Sequence, residues 1–168
     1  MTSISTVTGI TLHGTAIAIN GRAALLTGTS GSGKSDLALR CLAMPALPGV
    51  PALPGVPALP GVPGVPDRFE LVADDQVLVT RDGCDLILSA PGAIAGKLEV
   101  RGVGIVDLPV SRTSRLCLVA ELVDADTPIE RLPERFETRN ILGVLVPVMQ
   151  VKPFEASTPA KLAVALRL

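Results

Sequence analysis

The chain has 168 residues, 48% of them hydrophobic, which suffices for one domain with a substantial core. Its net charge of −1 excludes a broad basic footprint for nucleic acid and a polybasic membrane patch. Met1 to Thr11 lacks the basic start and continuous apolar run of a secretion signal, so a cytoplasmic location is expected.

From Gly9 to Thr27 short β-branched and apolar runs alternate with Gly and Asn. Asn20-Gly21 between Thr15–Ile19 and Ala23–Thr27 predicts a tight hairpin turn whose second strand runs into a glycine loop. That loop, Gly28-Thr29-Ser30-Gly31-Ser32-Gly33-Lys34-Ser35, fits G-x-x-x-x-G-K-[ST]. Leu37, Ala38, Cys41 and Leu42 then recur at helical spacing and predict a helix from about Gly33 to Met44.

Pro45 to Val62 is three copies of Pro-Ala-Leu-Pro-Gly-Val, followed by Pro63-Gly64-Val65-Pro66. Proline fixes φ and removes a donor, so polyproline II or loop is expected there, as an insertion in a single domain, and no membrane-spanning helix. Beyond it, Phe69–Ala73, Gln76–Thr80, Asp85–Ser89, Val103–Leu108 and Leu116–Val123 read as strands, with a turn at Arg81-Asp82-Gly83. Thr127 to Arg135 reads as loop or short helix, Ile141 to Met149 as mostly strand, and Ser157 as the side-chain cap of a C-terminal helix. Strands outnumber helices, so the expected fold is α/β with a β-rich mixed sheet. The odd, scattered Cys41, Cys84 and Cys117 suit buried small hydrophobes better than a metal or redox site.

The glycine loop carries the chemistry. Its backbone N–H groups converge on phosphate oxygens, the following helix presents its positive end, Lys34 bridges β- and γ-phosphates, and the Ser35 hydroxyl ligates magnesium. ATP and Mg2+ are therefore the expected ligands of Gly28 to Ser35. Such a loop needs an acid for the metal and a group that takes the nucleophile's proton, usually at the end of a buried strand. Leu71-Val72-Ala73-Asp74-Asp75 supplies a candidate pair, and repulsion between two carboxylates at one metal would favour a proton on one of them. Period-2 geometry does not assign the two roles.

Four stretches in order resemble the HPr kinase/phosphorylase family: His13-Gly14, Gly28 to Ser35, Leu71 to Asp75, and Leu98-Glu99-Val100-Arg101-Gly102-Val103-Gly104-Ile105. With Ile141-Leu142-Gly143-Val144 the resemblance covers nearly the whole chain and corresponds to the family's catalytic domain, in a short form without its N-terminal domain. It implies a P-loop core like that of phosphoenolpyruvate carboxykinases and a kinase that phosphorylates a serine of HPr or an HPr-like phosphocarrier. It further implies Asp75 as proton acceptor with Asp74 in support, His13 and Lys34 as catalytic, and Ser35 and Glu99 as magnesium ligands. Arg131 in Glu130-Arg131-Leu132-Pro133 is the nearest match to a further active arginine, whereas Arg135 and Arg139 sit among acids and read as a solvated face.

The resemblance also implies a reverse phosphorolysis giving pyrophosphate, and a homo-oligomer, in the family often a hexamer. For that reverse reaction the family has an arginine- and glycine-rich late segment, where this chain has Val151-Lys152-Pro153-Phe154-Glu155-Ala156. Two rivals are a small-molecule P-loop kinase, with the Arg131–Arg139 segment closing over the donor, and a nucleotide-dependent switch. No N-K-x-D motif supports the latter as a small GTPase.

Overall fold

A computed structural model describes residues 9–45, 68–111, 113–131 and 133–167. The proline-repeat tract beyond Pro45 lies outside these residues. Among these residues eleven strands and two α-helices follow in the order β1 (Gly9–His13), β2 (Thr15–Ile19), β3 (Arg22–Thr27), α1 (Lys34–Ala43), β4 (Phe69–Ala73), β5 (Gln76–Asp82), β6 (Asp85–Ser89), β7 (Lys97–Val100), β8 (Gly104–Asp107), β9 (Ser114–Leu122), β10 (Glu137–Ile141), β11 (Val144–Val151) and α2 (Thr158–Ala165), with a short 3-10 turn at Gly92–Ile94. Nine strands form one mixed sheet, β1-β5-β6-β9-β3-β2-β4, with β11 also on β9 and β10 beyond it, while β7 and β8 form a separate hairpin. The fold is α/β with a β-rich sheet, a helix after the glycine loop and a C-terminal helix.

Two features of connectivity position the site. The β2–β3 hairpin turns at Asn20 (φ 50°) and Gly21 (φ 75°), the left-handed pair that a right-twisted two-residue turn needs. At its far end β3 runs parallel to β9, Leu26 opposite Ala120, and β9 runs parallel to β11, Leu122 opposite Val151. The loops after these three strands thus emerge on one side of the sheet.

The second feature is a bent ribbon. Only Gly14 separates β1 from β2, and only Asp74-Asp75 separates β4 from β5; β1 pairs with β5 and β2 with β4, both antiparallel. One long ribbon is therefore folded at a single point, where the Gly14 N–H donates to the Asp75 carbonyl. A β-carbon at Gly14 would lie 2.8 Å from the Leu26 carbonyl oxygen, so the bend can approach β3 only because residue 14 has no side chain.

Alternation along the strands divides the core between the two faces of the sheet. Ala16, Ala18, Leu25, Val77, Val79, Leu88 and Val119 pack together on one face, and Ile17, Ile19, Leu26, Leu118 and Leu122 pack on the other. This second face is covered by Leu37, Ala38 and Cys41 of α1 and by Leu162 and Ala163 of α2. Burial of Leu37 alone removes enough apolar surface to contribute about 1.5–3 kcal/mol, anchoring the helix that carries Lys34.

Some expectations hold with a detail added, and others need correction. The run Ile141 to Met149 is mostly strand, but a turn between β10 and β11 interrupts it, with Leu142 at φ 49° and Gly143 at φ 81°. Leucine is an unusual occupant of that region, which is why an apolar reading ran through it. Ser157 precedes α2 but makes no side-chain cap bond; the Thr158 hydroxyl instead donates to the Lys152 carbonyl at 2.6 Å. The strands around Arg81-Asp82 continue to Asp82, and the turn falls at Gly83-Cys84. Only Cys41 is fully buried; Cys84 is exposed in that turn and Cys117 is half-buried. Of the two alternatives for Thr127 to Arg135, residues 127–131 and 133–135 show the loop.

Candidate active site

β3 ends at Thr27, and the glycine loop follows with Gly31 at φ 78° and Gly33 at φ 97° before α1 begins at Lys34. Left-handed glycines turn successive N–H groups inward, which makes an anion-binding concavity at a helix start. Gly33 has no side chain with which to cap α1, so the first amides stay available to a ligand. Lys34 is 8% exposed, and its Nζ donates to the carbonyls of Gly28 at 3.0 Å and Thr29 at 2.8 Å. A buried ammonium met only by neutral carbonyls lacks a counter-charge. The Ser32 hydroxyl is buried with no hydrogen-bond partner. An unpaired cation and an orphaned hydroxyl in a glycine loop are the features a polyphosphate would satisfy.

The ribbon bend supplies the acids. The Gln76 N–H donates to the Asp74 carbonyl at 2.8 Å, closing a three-residue turn with Asp75 at its centre and φ at 66°. This positive φ ends β4 and bends the ribbon, and the two neighbouring side chains lie in different environments. Asp74 is buried: its Oδ1 accepts from the Thr15 hydroxyl at 2.7 Å and from the Ser35 hydroxyl at 2.9 Å, and its Oδ2 accepts from the Glu99 N–H at 3.3 Å. Asp75 is open to solvent, its side chain 69% exposed. The His13 Nδ1 lies 3.0 Å from the Asp75 carbonyl oxygen and 3.3 Å from its Oδ1. Both partners are acceptors, so that nitrogen carries the hydrogen.

The structure thus brings together Gly28 to Ser35, Asp74, Asp75, His13 and the backbone of Glu99. The bond between the Ser35 hydroxyl and the Asp74 carboxylate is the junction between glycine loop and strand end. It suits a magnesium site built from one hydroxyl, one or two carboxylates and phosphate oxygens. Among the described residues no group of three or more His, Cys, Asp and Glu could hold a metal ion. Arg131 is not brought in: it is exposed in the loop between β9 and β10 and makes no hydrogen bond or ion pair with the described residues.

Arg139, read from sequence as part of a solvated face, instead reaches the root of the glycine loop. Its guanidinium donates to the Thr27 hydroxyl at 3.3 Å and to Glu121 Oε1 at 2.9 Å, and it lines a cleft of about 370 Å3 with His13, Leu12 and Asn140. The available signal was Glu121, an acid inside the apolar run Leu118-Val119-Ala120-Glu121-Leu122, which needs a cationic partner. A larger cleft, about 940 Å3, opens on the other side of the loop between Gly28–Ser32, Glu121–Ala125 and Lys152–Glu155. On its rim a hydrogen bond from Lys161 holds the Glu155 carboxyl below the ordinary carboxylate range.

A strand, a glycine loop and a helix, with the loop serine bonded to a carboxylate at a nearby strand end, define a P-loop fold. No family model matches the sequence. The chain is 30% identical over 150 residues to an HPr kinase/phosphorylase of Limosilactobacillus reuteri, covering 83% of this chain and 40% of that protein. It is 34% identical over 143 residues to an HPr kinase/phosphorylase of Burkholderia lata, covering 80% and 37%. Its fold matches the Hpr(Ser) kinase/phosphatase structure from Coxiella burnetii with a TM-score of 0.70, at 24% identity over 94% of each chain. The chain belongs to the HPr kinase/phosphorylase family, and it spans about 40% of the length of the curated relatives it matches.

Proposed function

We propose that this chain is a single catalytic domain that transfers the γ-phosphate of ATP to a serine of HPr or an HPr-like phosphocarrier. The observation that carries the reading is the Ser35–Asp74 hydrogen bond of 2.9 Å. It couples the phosphate loop to a strand end whose next residue, Asp75, is a solvent-facing carboxylate.

In this reading Asp74 positions Ser35 and Asp75 acts on the acceptor. As the serine oxygen bonds to the γ-phosphorus, its proton passes to the Asp75 carboxylate and the bond to the β,γ-bridging oxygen breaks, releasing ADP. His13 steadies that carboxylate through Nδ1–H. Lys34 exchanges the loop carbonyls for phosphate oxygens and, with the loop amides, offsets charge on the transferred group. Ser35 and Glu99 would hold magnesium, which when bound neutralises phosphate charge. The relatives' names support a kinase that also runs in reverse, but the Lys152–Ala156 stretch offers one cation for that reaction, and the forward reaction is the one assigned.

Transfer of label from ATP to purified HPr, beside a panel of small metabolites, tests this. Labelled HPr that is lost with Asp75→Asn is the expected result. Labelled metabolites with inert HPr would replace the proposal by a small-molecule kinase.

A further inference from the structure

Phe154 is one of three phenylalanines in a chain without Trp or Tyr, and it is 72% exposed. It presents a large aromatic face to solvent beside the glycine loop. Its surroundings show that it is held there. Arg40 of α1 donates to the carbonyls of Pro153 and Glu155, the Glu155 N–H donates to the Lys152 carbonyl, and Thr158 and Lys161 of α2 bind the same turn from the other side. A β-carbon at Gly33 would lie 2.9 Å from Phe154 Cζ, so one edge of the ring rests on the last glycine of the phosphate loop.

The location has a physical meaning. β3, β9 and β11 are parallel and adjacent, and ligands of parallel sheets sit in the crevice beyond the strands' carboxyl ends. Here that crevice is the 940 Å3 cleft, with the phosphate loop on one side, the segment after β9 on another and the turn carrying Phe154 on the third. A triphosphate seated in the loop has its nucleoside end to place, and this is the large cleft that opens from the loop. An aromatic ring at its edge, carried on a turn whose backbone these bonds hold and free of a covering side chain, presents a stacking surface.

We propose that Phe154 is the platform on which the base of the bound nucleotide stacks. The proposal rests on the reading of Gly28 to Ser35 as a triphosphate site. Because the chain has no Trp or Tyr, Phe154→Trp creates a sole fluorescent reporter. Magnesium-ATP should quench it, and magnesium tripolyphosphate, which lacks a base, should leave it bright while competing with ATP for the loop. Phe154→Ala, at an exposed position that the core does not need, should weaken ATP roughly five- to hundred-fold, the range expected for one lost base–aromatic stack, and leave tripolyphosphate affinity as it was. If tripolyphosphate binds and Phe154→Ala still takes ATP as tightly as the parent chain, the platform is refuted and the phosphate site stands. If neither ligand binds the parent chain by calorimetry, the phosphate site itself is refuted and the platform with it.

Discussion

Replacing Asp74 and Asp75 separately by asparagine should produce opposite phenotypes, although the two residues are adjacent and chemically identical. Asp74 accepts three hydrogen bonds in a buried setting, two through Oδ1 and one through Oδ2. An asparagine that keeps its oxygen at the Oδ1 position turns its NH2 group toward the Glu99 N–H, donor against donor, and also removes the charge that strengthens the other two bonds. Losing one charge-assisted bond at a buried site costs about 1–3 kcal/mol, which in a chain of this size lowers Tm by roughly 3–10 °C. Asp75→Asn changes an exposed side chain, and asparagine tolerates the positive φ of that position. Its stability should stay within about 0.5 kcal/mol of the parent, while phosphate transfer falls by roughly 10²–10⁴, the usual contribution of a positioned base. Chemical denaturation, magnesium-ATP titration and HPr phosphorylation on the same three proteins separate these outcomes. A destabilised Asp75→Asn with an unaffected Asp74→Asn, or full transfer by Asp75→Asn, would refute the division of roles.

Lys34→Met removes a buried ammonium that bonds only to loop carbonyls; ATP affinity should drop roughly ten- to hundred-fold with an unchanged far-ultraviolet circular dichroism spectrum. Burial pushes the Cys41 thiol up to about 12 from 9.0. The unfolded chain therefore loses this proton first, so the contribution to stability is complete below pH 9 and is lost as pH rises toward 12; denaturation from pH 8 to 11 should show that decline in the parent and a flatter one in Cys41→Ala. Under native conditions a thiol reagent should modify exposed Cys84 well before Cys41, as peptide mapping would show. Excision of residues 46–66 with a short glycine-serine bridge should leave ATP binding and phosphate transfer within about two-fold of the parent, since α1 ends at Ala43 and β4 starts at Phe69; loss of transfer in a folded product would show that the tract takes part.

The parts of the site legible in the sequence were those set by short spacing. The glycine loop, the strand before it and the apolar stripe of α1 are local patterns, and each occupies the expected span to within a residue or so. The strand ending in Asp74-Asp75 was equally plain. Less legible was anything decided by pairing over distance. Arg139 looked like one charge among many because its partners, Thr27 and Glu121, are far away in the chain and become neighbours only when β3 and β9 pair. The β10–β11 turn was hidden for a local reason, a leucine in left-handed conformation, which no propensity favours. Ser157 had the right residue type for a cap, but its backbone is already helical, with φ −80° and ψ −11°, rather than in the extended geometry that turns a cap side chain onto the first amides.

The same contrast explains how two consecutive acids acquire different surroundings. In a regular strand, residues 74 and 75 would face opposite sides of the sheet, and only one could approach the glycine loop. Here the turn centred on Asp75 folds the ribbon at that point, so Asp74 drops onto Thr15 and Ser35 while Asp75 swings to solvent beside His13. Gly14 is the opposite half of this device, because any side chain there would collide with β3 and push the bend away from the loop. His13, Gly14, Asp74 and Asp75 therefore form one mechanical unit that sets an exposed carboxylate next to a buried one beside the glycine loop. In the proposed kinase the buried acid would hold the loop serine still, and the exposed one would stay free to meet an acceptor arriving from solvent.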